Sequence, residues 1–220
     1  MGCKQNTQPR PEQKRPGYRG IMANDISKTA IINLALANLG QKLVHDDAEE
    51  TNTARTARLM YDFVRRNLLR AHDWAFALRW ADLAARDVET PDLKLPYVFA
   101  LPADCIFVKK ISYKDVPPEH QIPYTLFYDN QGNKLVACLY GGARVCYVAD
   151  VENTAVFDPS FVACFALLLA AELAVPITGD SQLAQLMLAK YQSKLDEARQ
   201  TNKIEQFEMP EKTSAFVEVR

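Results

Sequence analysis

A chain of 220 residues with 48% apolar and 24% charged side chains has the proportions of one ordinary domain or a compact pair, which excludes wholesale disorder and collagen-like structure. Its 26 basic and 27 acidic residues leave a net charge of −1, whereas a protein that grips nucleic acid over its whole surface is clearly basic. Five cysteines, an odd number without CxxC spacing, argue against a disulfide framework or a zinc site and for buried thiols of a reducing compartment.

Residues 1–22 read as a basic leader. Lys4, Arg10, Lys14, Arg15 and Arg19 stand there against Glu12 alone, with three prolines and almost nothing apolar. Such a segment is expected to stay disordered on its own, because it cannot bury enough surface to offset its ordering entropy. Without those five bases and one acid the remaining body holds 21 basic and 26 acidic residues, a net of −5. No apolar stretch of the signal-peptide kind follows the leader's charges, so the chain is expected to be cytoplasmic where it is made.

From Asn24 the pattern is helical. Asn24, Asp25 and Ser27 offer N-caps, Ile31, Leu34, Ala35 and Leu39 recur at helical spacing, and Gly40 supplies a stop. After a polar loop, Thr51 opens a second helix to about Ala71, with Ala54, Ala57, Tyr61, Val64, Leu68 and Ala71 on one stripe. Its other side carries Arg55, Arg58, Arg65, Arg66 and Arg70, a basic face expected to meet a neighbouring subunit or line a lumen. The aromatic stretch Trp74–Trp80 is expected to plug the junction between helical and β layers.

The period then changes. Tyr97–Leu101, Cys105–Tyr113, Tyr124–Tyr128, Lys134–Tyr140 and Arg144–Val148 read as short strands, the last three as an antiparallel meander turned at Asp129–Asn133 and Gly141-Gly142. Helix returns at Asp158-Pro159 and runs to Pro176. Its apolar run from Phe161 to Val175, broken by Glu172, is short of the ~20 residues of a bilayer span and reads as a core helix. A fourth helix starts at Asp180 or Ser181 and ends near Lys203, with Leu183, Leu186, Met187, Tyr191, Leu195 and Ala198 as its stripe. The expected fold is α+β and mainly helical: a bundle of about four helices with a small antiparallel sheet inserted between the second and third long helices. Its segments are the leader (1–22), the first half of the bundle (23–94), the β insert (95–150), the second half (151–203) and an extended tail (204–220).

The chemistry-bearing residues do not assemble into a catalytic template. There is no GxSxG, GxxxxGK[ST], GxGxxG or HExxH, and no catalytic, metal-binding or cofactor-binding residue is assigned. His72 sits at a helix end, where the dipole favours an imidazolium. His45 with Asp46 and Asp47 reads as a solvated turn, and His120 as an exposed residue after a diproline. Glu172, within an apolar helix, is either a buried carboxylate of raised pKa or a group that reaches the helix edge.

The order of these features resembles the head-to-tail adaptor proteins of short-tailed phages, the tail tubular protein A family. Asn33–Gly40 is similar to its opening helix, Ala54–Arg70 to its arginine-bearing second helix, and Asp73-Trp74-Ala75-Phe76 to its aromatic exit. Leu101-Pro102-Ala103-Asp104-Cys105 resembles the element that starts its β region. Tyr128-Asp129-Asn130, Val145-Cys146-Tyr147-Val148 and Asp158-Pro159-Ser160-Phe161 continue the pattern. The likeness covers about residues 24–203; the leader and the tail after Ile204 stand outside it.

The resemblance implies a structural virion protein without a cofactor. Identical subunits form a ring, twelve in this family, which docks beneath the portal protein at the head–tail junction and is assembled in the host cytoplasm. That ring extends the genome channel and carries the downstream tail or nozzle protein. It passes DNA without sequence-specific binding and has no membrane partner. The segment Ala215, Phe216, Val217 and Val219 is expected to add to a sheet edge on the portal. Two other readings stay open: a tail-associated enzyme such as a peptidoglycan hydrolase, and a DNA-binding protein using the Arg55–Arg70 face.

Overall fold

The computed structural model describes residues 26–45, 49–113 and 122–205. The basic leader, His120, Asp46, Asp47 and the tail residues Ala215, Phe216, Val217 and Val219 lie outside them.

Among the described residues, four helices form at the places the capping residues announce. Helix α1 (Lys28–Asn38) starts at Ser27, whose hydroxyl accepts the Ala30 N–H at 3.1 Å. Thr51 does the same for α2 (Asn52–Ala71), taking the Ala54 N–H at 3.3 Å. Asp158 accepts the Ser160 N–H at 2.7 Å ahead of Pro159, the first residue of α3 (Pro159–Thr178). Asp180 accepts from Gln182 and Leu183 at the head of α4 (Ser181–Glu205). Between α1 and α2 the loop is pinned by Asn33, which donates to the Val44 carbonyl and accepts its N–H, both at 2.9 Å.

Helix α3 is the axis of the bundle and packs against each of the other three helices. It is apolar on nearly every side, with Phe161, Cys164, Phe165, Leu169, Ala170, Leu173 and Ala174 wholly buried. By length and composition it is also long and apolar enough to cross a membrane, and half of its span is buried among its neighbours here. It runs two residues beyond the expected stop at Pro176. Proline there removes only the donation to the carbonyl of Glu172, an exposed residue where water serves instead. The helix ends at Gly179, whose φ of 71° returns its N–H to the Val175 carbonyl.

The β region is two sheets, not one, and begins earlier than the composition indicates. Strand β1 (Leu78–Asp82) grows out of the aromatic exit, and β2 (Ala84–Ala85) follows it. Then come β3 (Tyr97–Ala100), β4 (Cys105–Ser112), β5 (Tyr124–Tyr128), β6 (Lys134–Cys138) and β7 (Arg144–Ala149). One antiparallel sheet has the order β1-β7-β4, the other β2-β3-β6-β5. The expected three-strand meander is therefore corrected: β5 and β6 form their hairpin, but β7 leaves for the other sheet. The reason is burial. Leu135–Cys138 and Val145, Tyr147, Val148 and Ala149 are the most deeply buried strand segments, so each demands neighbours on both edges and each becomes a sheet centre. Gly142, at φ 73°, turns the chain between them.

The aromatic plug is formed by Trp74 and Phe76 with Phe157, Phe161 and Phe165, their rings meeting edge-on or tilted at centroid distances of 4.7–6.4 Å. Trp74 donates its indole N–H to the Leu68 carbonyl at 2.9 Å. Trp80 is not part of it. It lies in β1, 53% exposed, with the Arg144 guanidinium over its ring. Because Phe161 is the common neighbour, Phe161→Ala is expected to cost ~3–5 kcal/mol in urea unfolding, against less than ~1 kcal/mol for Trp80→Ala.

Candidate functional site

The arginines of α2 are the one concentration of charge the sequence singles out, and the fold divides them. Arg65 lies four residues after Tyr61 and three before Leu68, which puts it on the buried stripe. It is 1% exposed. Its guanidinium donates to the Asp150 carboxylate at the end of β7 and, at 2.7 Å, to the Val151 carbonyl. A further contact reaches Asp62 at 3.3 Å, and Glu152 stands 3.8 Å away. Arg66, one position on, turns outward and grips the other Asp150 oxygen at 2.8 Å.

The remaining three are dispersed along the helix. Arg55 and Arg58 both lean on Glu50 just before α2, and Arg70 lies over the ring of Phe107 in β4. Arg55, Arg66 and Arg70 are exposed, while Arg58 is half-buried. The five therefore do not share one solvent face: Arg65 is structural, and the other four decorate a surface already balanced in part by the chain's own acids.

Asp150 is the residue that composition did not reveal. Its N–H donates to the Asp104 carbonyl at 2.7 Å, and Asp104 in turn accepts from Arg79 of β1 at 2.6 Å and from the Tyr147 hydroxyl of β7 at 3.0 Å. Two aspartates thus tie α2, β1, β4 and β7 into one polar seam. Hydrogen bonding to the Asp104 carboxylate, after burial, pushes the Tyr147 phenol above its ordinary pKa. The spacing Leu101-Pro102-Ala103-Asp104-Cys105 marked one half of this seam; nothing local marked Asp150 as its partner.

The isolated candidates for catalysis are not brought together. Glu172 is exposed on α3 and is not a buried carboxylate. His72 caps the C-terminus of α2 in an extended conformation and meets Trp74 edge-on, their centroids 4.8 Å apart. Burial, more than the nearby Arg199 and Lys109, lowers its pKa against the opposing pull of Asp73. The dipole does not hold it as an imidazolium, which corrects the expectation from its position. Burial also raises the thiols of Cys105, Cys138 and Cys146, and lifts Cys164 to about 11, so all four are poor nucleophiles at neutral pH. Among the described residues no group of three or more His, Cys, Asp or Glu could hold a metal ion.

Two surfaces among the described residues remain unpartnered and apolar. One is a groove of ≈ 720 Å³ between the outer sides of α1 and α3, lined by Leu34, Phe157, Val162, Ala163 and Leu167 and edged by Lys194 of α4. The other is the outer face of α2, where Leu59 and Phe63 stand 74% and 57% exposed. The sequence held a signal for the second, since both positions fall off the α2 stripe. No protein-family model and no curated protein matches this chain.

Two outcomes are expected from the seam and from His72. Truncating one partner, as in Arg65→Ala or Asp150→Ala, strands a buried charge and should cost ~3–5 kcal/mol in denaturant unfolding. Replacing both, as in Arg65→Met with Asp150→Leu, should recover most of that loss, a non-additivity that a double-mutant cycle measures. For His72 the folded pKa lies below the unfolded value of about 6.5, so the unfolded chain binds the extra proton. Stability should fall as pH drops below that value, by at most ~1.4 kcal/mol per pH unit, and His72→Gln should flatten the slope of melting temperature between pH 7 and 5.

Proposed function

We propose that this chain is a head-to-tail adaptor of the short-tailed phage kind, a structural protein that acts as a ring of identical subunits beneath a portal. The observation that carries the reading is where the motifs of the resemblance fall. Asp73-Trp74-Ala75-Phe76 is the helix exit that seals the plug, and Leu101–Cys105 leads into β4 through the Asp104 seam. Val145–Val148 is the centre of a sheet, and Asp158–Phe161 is the capped start of the central helix. Motifs that all serve architecture suit a protein whose work is to hold shape and position.

A ring needs contacts on two different faces of one subunit, and the groove and the α2 ridge are two such faces. A lumen that passes DNA must avoid a tight grip on phosphate, since each neutralised phosphate adds affinity; an acidic body and arginines balanced by Glu50 and Asp150 fit that demand. The ring number of twelve, the portal and nozzle partners, the head–tail location and the portal-binding role of Ala215–Val219 rest on the resemblance. The DNA-binding alternative requires the arginine face, which the burial of Arg65 breaks. The hydrolase alternative rests on Glu172, which is exposed and has no second carboxylate set beside it for acid–base work.

Negative-stain imaging of the purified chain, alone and with the portal protein of the same phage, tests the reading. Rings coaxial with the portal are expected. Monomers that ignore the portal, or steep salt-dependent DNA affinity in their place, would overturn it.

A further inference from the structure

We infer that the α1–α3 groove of one copy receives the Leu59–Phe63 ridge of the next copy, a head-to-tail contact between identical chains. This inference rests on the ring reading above and supplies the contact it requires.

The two surfaces match in chemistry. The groove floor is hydrocarbon from Val162, Ala163, Leu167 and Leu34, with Leu34 left 43% exposed. Its volume of ≈ 720 Å³ suits a pair of large side chains, being within the range of pockets that enclose drug-sized ligands. Leu59 and Phe63 are four residues apart and stand side by side on the outer face of α2, as a ridge that packs along an interhelical groove. Large apolar side chains this exposed are ordinary singly, but an adjacent pair together with an unfilled apolar groove elsewhere on the chain marks a contact site.

Charge fixes which way the ridge lies. Arg55, one turn before Leu59, and Arg66, one turn after Phe63, bracket the ridge and are 62% and 57% exposed. Asp158, beside Phe157 and Pro159, and Glu197, one turn from Lys194, bracket the groove, with Glu197 62% exposed. Basic ends meet acidic ends, and such complementarity sets register more than affinity. The two surfaces differ and belong to separate parts of one molecule, so the contact is heterologous: it closes into a ring or runs on as a filament, and never pairs two copies symmetrically.

The test uses the full chain and two variants that each spoil one side. Phe63→Glu removes the ridge and keeps the groove; Ala163→Arg fills the groove with a cation and keeps the ridge. Sedimentation equilibrium up to ~1 mM should show the unaltered chain associating, and each variant alone weakened at least ~30-fold. An equimolar mixture of the two should form a heterodimer, since one intact ridge then meets one intact groove. Melting curves identify a variant that fails to fold, in which case Leu59→Asp or Leu34→Glu takes its place. An unaltered chain that stays monomeric to ~1 mM, variants that associate like it, or a mixture that stays monomeric would each overturn the inference. Imaging on the portal runs beside it. Rings built there by both variants refute this contact and leave the adaptor reading standing. A chain that associates as described yet ignores the portal keeps the contact and refutes the adaptor.

Discussion

The contact on which the rest of this structure depends is Arg65 with Asp150. It joins the middle of α2 to the residue just after β7, 85 positions away in the chain. A guanidinium nearly sealed from water is costly unless its donors are met, and its attachment to Asp150 and the Val151 carbonyl supplies that. The two sheets between these points are thereby anchored to the helical body at both ends. The link also orients the chain beyond it, because Val151 begins the short passage through Phe157 into α3.

That passage delivers the central helix to the centre of the molecule. Helix α3 is apolar on almost every side and is kept from water only when other helices surround it. Helices α1 and α2 cover it from one half of the chain, and α4 folds back on it from the other. Along the strip between α1 and α3 the cover is incomplete, and Leu34, Ala163 and Leu167 leave apolar surface in contact with solvent. The same helix is therefore both the core and the floor of the groove, and a ligand or neighbour seated there would touch the most deeply packed part of the fold.

The polar seam has a different character from the aromatic plug beside it. Trp74, Phe76, Phe157 and Phe161 are held by area and edge-to-face geometry. Asp104 and Asp150 are held by directional bonds to Arg79, Tyr147, Arg65 and Arg66. Directional bonds tolerate one arrangement, so the seam fixes the angle between sheet and bundle more narrowly than hydrophobic burial does.

The amino-acid sequence by itself determined the elements. Ser27, Thr51, Asp158 and Asp180 announced four helix starts because a capping side chain acts over three residues. The strands β3 to β7 were legible, within a residue or two, from β-branched and aromatic runs bounded by turns. Tertiary structure alone decided how they combine. Strand β1 was hidden because Leu78–Asp82 takes its partner from residues 144–148, and β7 left its sequence neighbour because burial on both edges outweighs a short connection. The arginine face read as one surface because helical spacing says which side a residue occupies and not what stands opposite it. Only the arrival of Asp150 turned Arg65 inward, and only the meeting of α1 with α3 made a groove, since both depend on chain segments far apart in sequence and leave no local trace.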